Sequence, residues 1–482
     1  MDKRILRNYF YNVLYQVVVL ALPFFTTAYL SRTLGIESLG ISEIVSARVQ
    51  WFALFGVLGM QLYGIREIAK ARDDKETLSK TFFELFVLQV VMVLLVSVLF
   101  LLSLQFQTTY LLYSYMQLLA LVTAALDIAW FFYGIEDYKI ASLRNIFVRI
   151  LGVVLMYLLV KSPADLGIFI FINLGTSLFA QLIMLTQLRK YIRFVKVTLS
   201  GVMKHFWPNV LLFFPQLASS VFSLINVSLL EKYSPQEVQL YKQAQNFIRM
   251  FLLLITSIGQ VVLARVANIY AKKEEAKTRE LLEVVMLFAF FAAIPMIGGL
   301  CVVVPNFIPW FLPADFQPVT GLIIVASPMI LFLSMTNVYG VQYMIPAGLM
   351  KQYVFSIICG IIVNLGLDLL LLPSYQSLGS TIANVCGEAV VLIVQMYLLK
   401  DKLKLKLDFM EIGRISLSAA IMIVAVYGFS QLLSWQGSSA RLLLQNGAQA
   451  LLGVGIYLTS MILLRSSFLK LVIDRLKRKN TV

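Results

Sequence analysis

Apolar residues run in long stretches along this chain, separated by short clusters of charge and turn residues. Fourteen stretches stand out, at 8–30, 39–64, 80–104, 110–134, 143–161, 164–188, 206–231, 236–263, 281–304, 318–345, 352–372, 377–399, 412–434 and 441–464. Each is close to the roughly 20 residues an α-helix needs to cross about 30 Å of hydrocarbon. The pattern predicts an all-α polytopic membrane protein of about fourteen transmembrane helices, with no extramembrane domain of ordinary size left over. The first stretch is too long for a signal h-region and ends in AYLSRTLG, without an A-x-A cleavage pattern, so it reads as a helix of the mature protein.

Charge gives these helices a direction. With the N-terminus placed inside, the inner connections carry 33 Lys and Arg, and the outer ones only Arg32, Lys161, Lys232 and Arg441. That asymmetry is a positive-inside signal, and it predicts an even number of spans with both termini cytoplasmic. The net charge of +15 is therefore read as a topology signal, with no nucleic-acid partner implied. Composition agrees: 60% of the 482 residues are hydrophobic and 13% charged, against about 45–50% and about 25% in soluble domains. Cys301, Cys359 and Cys386 all lie in apolar runs and read as packing residues. His205 is the single histidine, so no zinc site of the His/Cys type can be assembled, and no metal or cofactor is expected.

A faint repeat organises the spans. The first and seventh both open on an aromatic-Asn run, hold a proline (Pro23, Pro215) and precede a helix with an embedded arginine (Arg48, Arg249). The expected arrangement is an N-terminal lobe at 1–188 and a C-terminal lobe at 206–400. These six-helix lobes are pseudo-symmetric about a central cavity and joined by a cytoplasmic linker at 189–205. Two additional spans occupy 401–464, followed by a basic cytoplasmic tail at 465–482 whose Leu469, Val472, Ile473 and Leu476 share one helical face, as in an interfacial helix.

Polar residues inside the spans mark where chemistry is placed. Asn12, Gln16, Pro23 and Thr27 form a stripe on the first span, and Asn209, Gln216, Ser220, Ser223 and Asn226 one on the seventh. Such stripes face either a neighbouring helix or a wet cavity. The eighth span carries Lys242, Gln245, Asn246, Arg249, Thr256 and Gln260 along one side, because steps of three, four and seven return to the same face. Cations facing lipid each cost roughly 2.5–3.5 kcal/mol, so these must meet water, a counter-ion or an anionic substrate. Arg48 lies about nine residues, roughly 13 Å, below the outer end of its span. Two readings stay open for it. Arg48 and Arg249 bind an anion such as a pyrophosphate, whose oxygens match guanidinium forks; or each makes an internal ion pair, Arg48 with an acid such as Glu43, Asp127 or Asp368. Asp127, Glu43, Asp368 and Glu388 read as buried acids within spans, candidates for proton or Na⁺ coupling or for counter-charge. No phosphate-cradling loop or catalytic triad stands out, and no enzymatic activity is expected.

The stretch LDIAWFFYGIEDYK (126–139) with LRNIF (143–147) closely resembles the signature region of Wzx-type polysaccharide flippases, of the multidrug/oligosaccharidyl-lipid/polysaccharide exporter superfamily. FYNVLYQVVVLALPFFTTAYLSRTLGIESLGI (10–41) and LYGIREIAKARDDKETLSKTF (62–82) match as well. The resemblance implies twelve or fourteen helices in two lobes around a V-shaped cavity. It implies an undecaprenyl-pyrophosphate-linked oligosaccharide as substrate, moved from the inner to the outer leaflet of a bacterial cytoplasmic membrane. Membrane lipids are implied surroundings, and a polysaccharide polymerase and glycosyltransferases of the same pathway are implied partners. By the same resemblance Arg48 and Arg249 line the cavity and Arg32 stands near its outer rim. One departure is visible: many members carry an acid in the seventh helix, whereas SLINVSLLEKY offers Asn226 and Ser228 and no acid before Glu231.

The expected mechanism is alternating access, with coupling to H⁺, Na⁺ or the membrane potential left open. Two alternatives compete. A cation-coupled drug or metabolite antiporter of the same superfamily wants an acid in the first helix, and residues 9–30 hold none. A membrane-embedded polymerase or glycosyltransferase wants long outer loops with charge clusters; the longest here, around 305–317, holds only Asp315.

Overall fold

Asp74 starts the longest apolar helix of the N-terminal half in a way the sequence makes plain. Its side chain accepts the Thr77 backbone N–H at 2.8 Å, and from Lys75 the chain runs helical to Leu104. In the computed structural model, which describes residues 22–271, 274–403, 405–406, 408–432, 439–470 and 474, every regular element is helical. The predicted stripe residues Asn12 and Gln16 lie outside the described residues, as do the side chains of Pro215, Gln216 and Gln260.

The chain divides into two compact units, Met1–Gln239 and Leu240–Val482. The sequence-derived lobes divide the chain by repeat; these units divide it by packing. In the first unit come α1 (22–33), α2 (Gly35–Val57), α3 (Met60–Ala71), α4 (Lys75–Leu104), α5 (Leu111–Met116), α6 (Leu118–Ala125), α7 (Ala129–Gly134), α8 (Tyr138–Leu159), α9 (Leu166–Leu188), α10 (Leu199–Met203) and α11 (Phe206–Leu230). Leu58 takes a left-handed φ of 52° between α2 and α3 and bends the chain there. The next residue must be glycine: a Cβ on Gly59 would stand 2.6 Å from the Asn209 carbonyl oxygen, so α11 rides directly on the bend. Trp51 Nε1 donates to Ser228 Oγ at 3.1 Å and fastens α2 to α11 further along.

α12 (Pro235–Ala271) crosses from the first unit into the second, which continues with α13 (Glu275–Phe311), α14 (Val319–Ala326), α15 (Met329–Thr336), a π-helical turn (Asn337–Met344), α16 (Met350–Leu399), α17 (Phe409–Leu432) and α18 (Ser439–Leu463). α16 contains two of the predicted spans, 352–372 and 377–399. They are folded against each other at Gln376 (φ 43°), with Leu371 backbone 2.8 Å from where a Gly379 Cβ would sit. α17 and α18 bury Ile415, Met422, Tyr457 and Met461 together, against Phe290 and Phe291 of α13. Leu469 of the predicted tail joins that cluster; Val472, Ile473 and Leu476 lie outside the described residues. Among the described residues eight helices are long and apolar enough to cross a membrane, or up to nine with the bent pair 314–344. The protein is a multi-pass, all-helical membrane protein.

Candidate substrate-binding site

The motif LDIAWFFYGIEDYK folds as a break between α6 and α7, and the reasons for its residues are local. The helix stops at Leu126, leaving carbonyls without helical partners. Gln89 of α4 satisfies them: its Nε2 donates to the Ala124 and Asp127 carbonyls at 2.8 and 2.9 Å, while its Oε1 accepts from Trp130 Nε1 at 3.0 Å. Asp127 stands just before Ile128, the N-cap of α7, and its Oδ1 accepts from the first helical N–H, that of Ala129, at 3.0 Å. Trp130, Phe131 and Phe132 are buried with Phe82 and Leu85, and Gly64 lets α3 approach the Trp130 ring to within 2.8 Å of its missing Cβ. Downstream, Tyr191 donates to Asp137 at 2.7 Å, and burial with that carboxylate pushes its phenol up to about 12.

Arg48 is held from all sides. Nε donates to Glu231 Oε1 at 3.0 Å and Nη2 also pairs with Glu231; Nη1 reaches Gln107 Oε1 at 2.9 Å and the Thr109 carbonyl at 3.1 Å, and Nη2 reaches Thr109 Oγ1 at 3.1 Å. Only 13% of its side chain is exposed. The carboxylate it finds is Glu231, 183 residues on and one residue past α11, rather than Glu43, Asp127 or Asp368. Glu43 is half-buried on α2, and Arg32 is exposed, its guanidinium donating to the Ala28 carbonyl of its own helix at 2.8 Å.

The second cationic set is arranged differently. On α12, Tyr241, Ala244, Gln245 and Ile248 form a buried face, with Asn384 Nδ2 donating to Tyr241 Oη at 3.0 Å and Gln245 reaching Met329 Sδ at 4.0 Å. Lys242, Asn246 and Arg249 follow at i, i+4 and i+7 on an adjacent face; Lys242 is half-buried, Asn246 and Arg249 exposed. Thr256, half-buried, returns its hydroxyl to the Leu252 carbonyl at 3.1 Å. Glu388 of α16 is half-buried within Coulombic reach of Arg249. Asp368 is fully buried beside Ser380, one helical turn from the equally buried Asn364. The structure thus brings Asn246 and Arg249 onto one exposed face, with half-buried Lys242 beside them and Glu388 nearby, and leaves Gln245 and Asp368 in packed surroundings. Among the described residues no cluster of three or more His, Cys, Asp or Glu side chains has metal-binding geometry.

One polar network escaped sequence reasoning. Glu84, fully buried on α4, accepts from Lys204 Nζ at 2.7 Å and meets His205 Nε2 at 3.1 Å, and His205 Nδ1 lies 2.7 Å from Tyr63 Oη. A neutral ring with its proton on Nε2 satisfies both partners. Burial depresses the His205 imidazole below its ordinary range, against the pull of Glu84. The available signal was an acid four residues into an otherwise apolar span.

A sequence profile described as "Polysaccharide biosynthesis protein" matches residues 5–266. A protein of Escherichia coli (strain K12) named as an O-antigen transporter is 24% identical over 410 residues, 81% of this chain and 97% of that protein. One of Shigella dysenteriae with the same name is 27% identical over 265 residues, 53% of this chain and 66% of that protein. Among solved structures, the lipid II flippase MurJ in an inward closed conformation superposes with a TM-score of 0.72 at 17% identity, covering 95% of this chain and 99% of MurJ. An inward-facing multidrug resistance transporter of the MATE family superposes with 0.56 at 14% identity, covering 81% and 98%. At these identities the superpositions show the shared fold.

Proposed function

Because this chain belongs to the polysaccharide biosynthesis protein family, a family of transport proteins and not of enzymes, we propose that it is a flippase for a lipid-linked oligosaccharide. In this reading the substrate is an undecaprenyl-pyrophosphate-linked precursor of a cell-surface polysaccharide, of the capsule or teichoic acid type. It moves from the inner to the outer leaflet of a bacterial cytoplasmic membrane by alternating access. Fourteen spans with both termini cytoplasmic, and a supply and consumption of substrate by glycosyltransferases and a polymerase, belong to the same proposal. The relatives named as O-antigen transporters support the substrate class.

The observation that carries the proposal is the open face of α12. An arginine exposed within a membrane-spanning chain has to meet water or an anion. Arg249 offers a planar fork that fits two phosphate oxygens, Lys242 about two turns away adds a compact charge, and Asn246 between them supplies an amide. Low-dielectric surroundings strengthen each of these contacts. Glu388 serves as the counter-charge that holds Arg249 when no head group is bound. With the cell interior negative, each net negative charge carried outward gains about 2.3 kcal/mol per 100 mV, which favours export.

The test is depletion followed by complementation. Without the protein, a lipid-linked glycan should accumulate in the inner leaflet; the wild-type gene should restore export, and Arg249→Ala should not, at equal membrane levels. Full export by both Arg249→Ala and Lys242→Ala would sink the proposal.

A further inference from the structure

The segment that joins α9 to α11 turns an unusual surface outward. Residues 189–204 (RKYIRFVKVTLSGVMK) carry five cations and no acid. Their inward positions are fixed. Ile192 and Val202 are buried in the unit's core, and the Arg193 backbone N–H donates to Ser79 Oγ at 3.0 Å, which sets the segment at the level of the second turn of α4. Outward stand Arg193 and Lys196 together with Phe194, Leu199 and Trp207, which are 80%, 78% and 70% exposed. Phe194 touches Phe83 edge-on at 5.3 Å and is otherwise open.

We propose that this surface is a docking site for anionic phospholipid, holding the linker in the headgroup layer of the membrane. Three arguments select a bilayer over a protein. First, both ends of the segment continue into apolar helices, α9 ending at Leu188 and α11 starting at Phe206, so the linker is tethered to the rim of the hydrocarbon layer. Second, cations without acids complement a plane of negative headgroups, whereas a protein surface presents both signs. Third, large apolar side chains interleaved with the cations match the depth profile of an interface: aromatic rings sit just below the phosphates and the long basic side chains reach up to them. The linker also holds Lys204 and His205, which bond Glu84, so lipid bound here bears on a buried network joining α3, α4 and the start of α11.

The experiment uses the full chain with Cys301, Cys359 and Cys386 replaced by Ser and a spin label on Ser200→Cys, an exposed position in α10. The protein is reconstituted into bilayers of phosphatidylcholine alone or mixed equally with phosphatidylglycerol. Collision with a water-soluble nickel chelate should fall when phosphatidylglycerol is present, and high salt should reverse that shielding. Replacing Arg189, Arg193 and Lys196 with Gln should weaken the effect by about fivefold per cation removed. Equal chelate access in both bilayers, shielding indifferent to salt, or shielding that arises only when other proteins are added would each overturn the proposal. The salt arm decides the matter even if the triple variant fails to fold.

Discussion

Arg48 and Arg249 occupy corresponding places in the sequence, each embedded in the helix that follows a proline-bearing span, yet their surroundings differ. Around Arg48 a carboxylate, an amide, a hydroxyl and a carbonyl take up the guanidinium donors. Around Arg249 the side chain is exposed, with Glu388 acting on it through space. A buried guanidinium whose hydrogen bonds are filled stabilises structure; an exposed one on a membrane-spanning helix is available to a ligand. The comparison teaches that the position of an arginine in a span does not set its role; the acceptors that the fold delivers to it do.

Breaking the comparison on its open side should have the largest effect. Arg249→Ala should cut head-group affinity by about 10- to 100-fold, the worth of a charge-assisted hydrogen bond, and leave the melting midpoint in detergent unchanged. Arg249→Lys should restore part of it, because one ammonium replaces a fork. A lowered midpoint with undiminished binding would place Arg249 with Arg48.

On the closed side the expected order reverses. Arg48→Ala leaves Glu231 partly buried without its cation and should cost about 1–3 kcal/mol of stability, read by thermal melting, with Glu231→Gln in the same chain recovering part of the loss. An Arg48→Ala protein that melts like wild type but no longer exports would make Arg48 a ligand contact.

Two smaller effects sharpen the picture. Glu388→Gln removes the charge that competes with an incoming anion and should tighten head-group binding by about fivefold, corresponding to ~1 kcal/mol in a partly screened site. The second concerns acid. His205 has its imidazole depressed by burial, so the unfolded chain binds a proton at higher pH than the folded one does. Stability from this group is complete above the ordinary histidine range, about 6.5, and is lost as the pH falls through it toward the folded value. Melting midpoints followed from neutral to mildly acid pH should drop more steeply in wild type than in His205→Gln, which keeps a donor for Glu84.

Much of this was legible in the chain. Apolar run length is a local quantity, so helix after helix falls on a predicted stretch, and the motif around Trp130 carried the family because its aromatic side chains fill one core. What was not legible was pairing at a distance. Glu231 is the only acid of the seventh predicted span and stands at its last residue, and nothing near it in sequence points to Arg48. Glu84 and His205 are 121 residues apart and meet because α4 and the start of α11 are neighbours. Gln245 fell on the same predicted stripe as Asn246 and Arg249, but a helical stripe wide enough to hold them spans two neighbours, and Met329 claims one edge.

Hydrophobic periodicity, basic asymmetry and three motifs thus determined by themselves that the chain is a helical membrane protein of a polysaccharide-export family, because those signals depend on residues close together along the backbone. Which cations are tied down and which stand open was decided only by the tertiary structure. A charge buried in low dielectric takes whatever acceptor lies within about 3 Å, and that distance is set by how helices far apart in sequence pack.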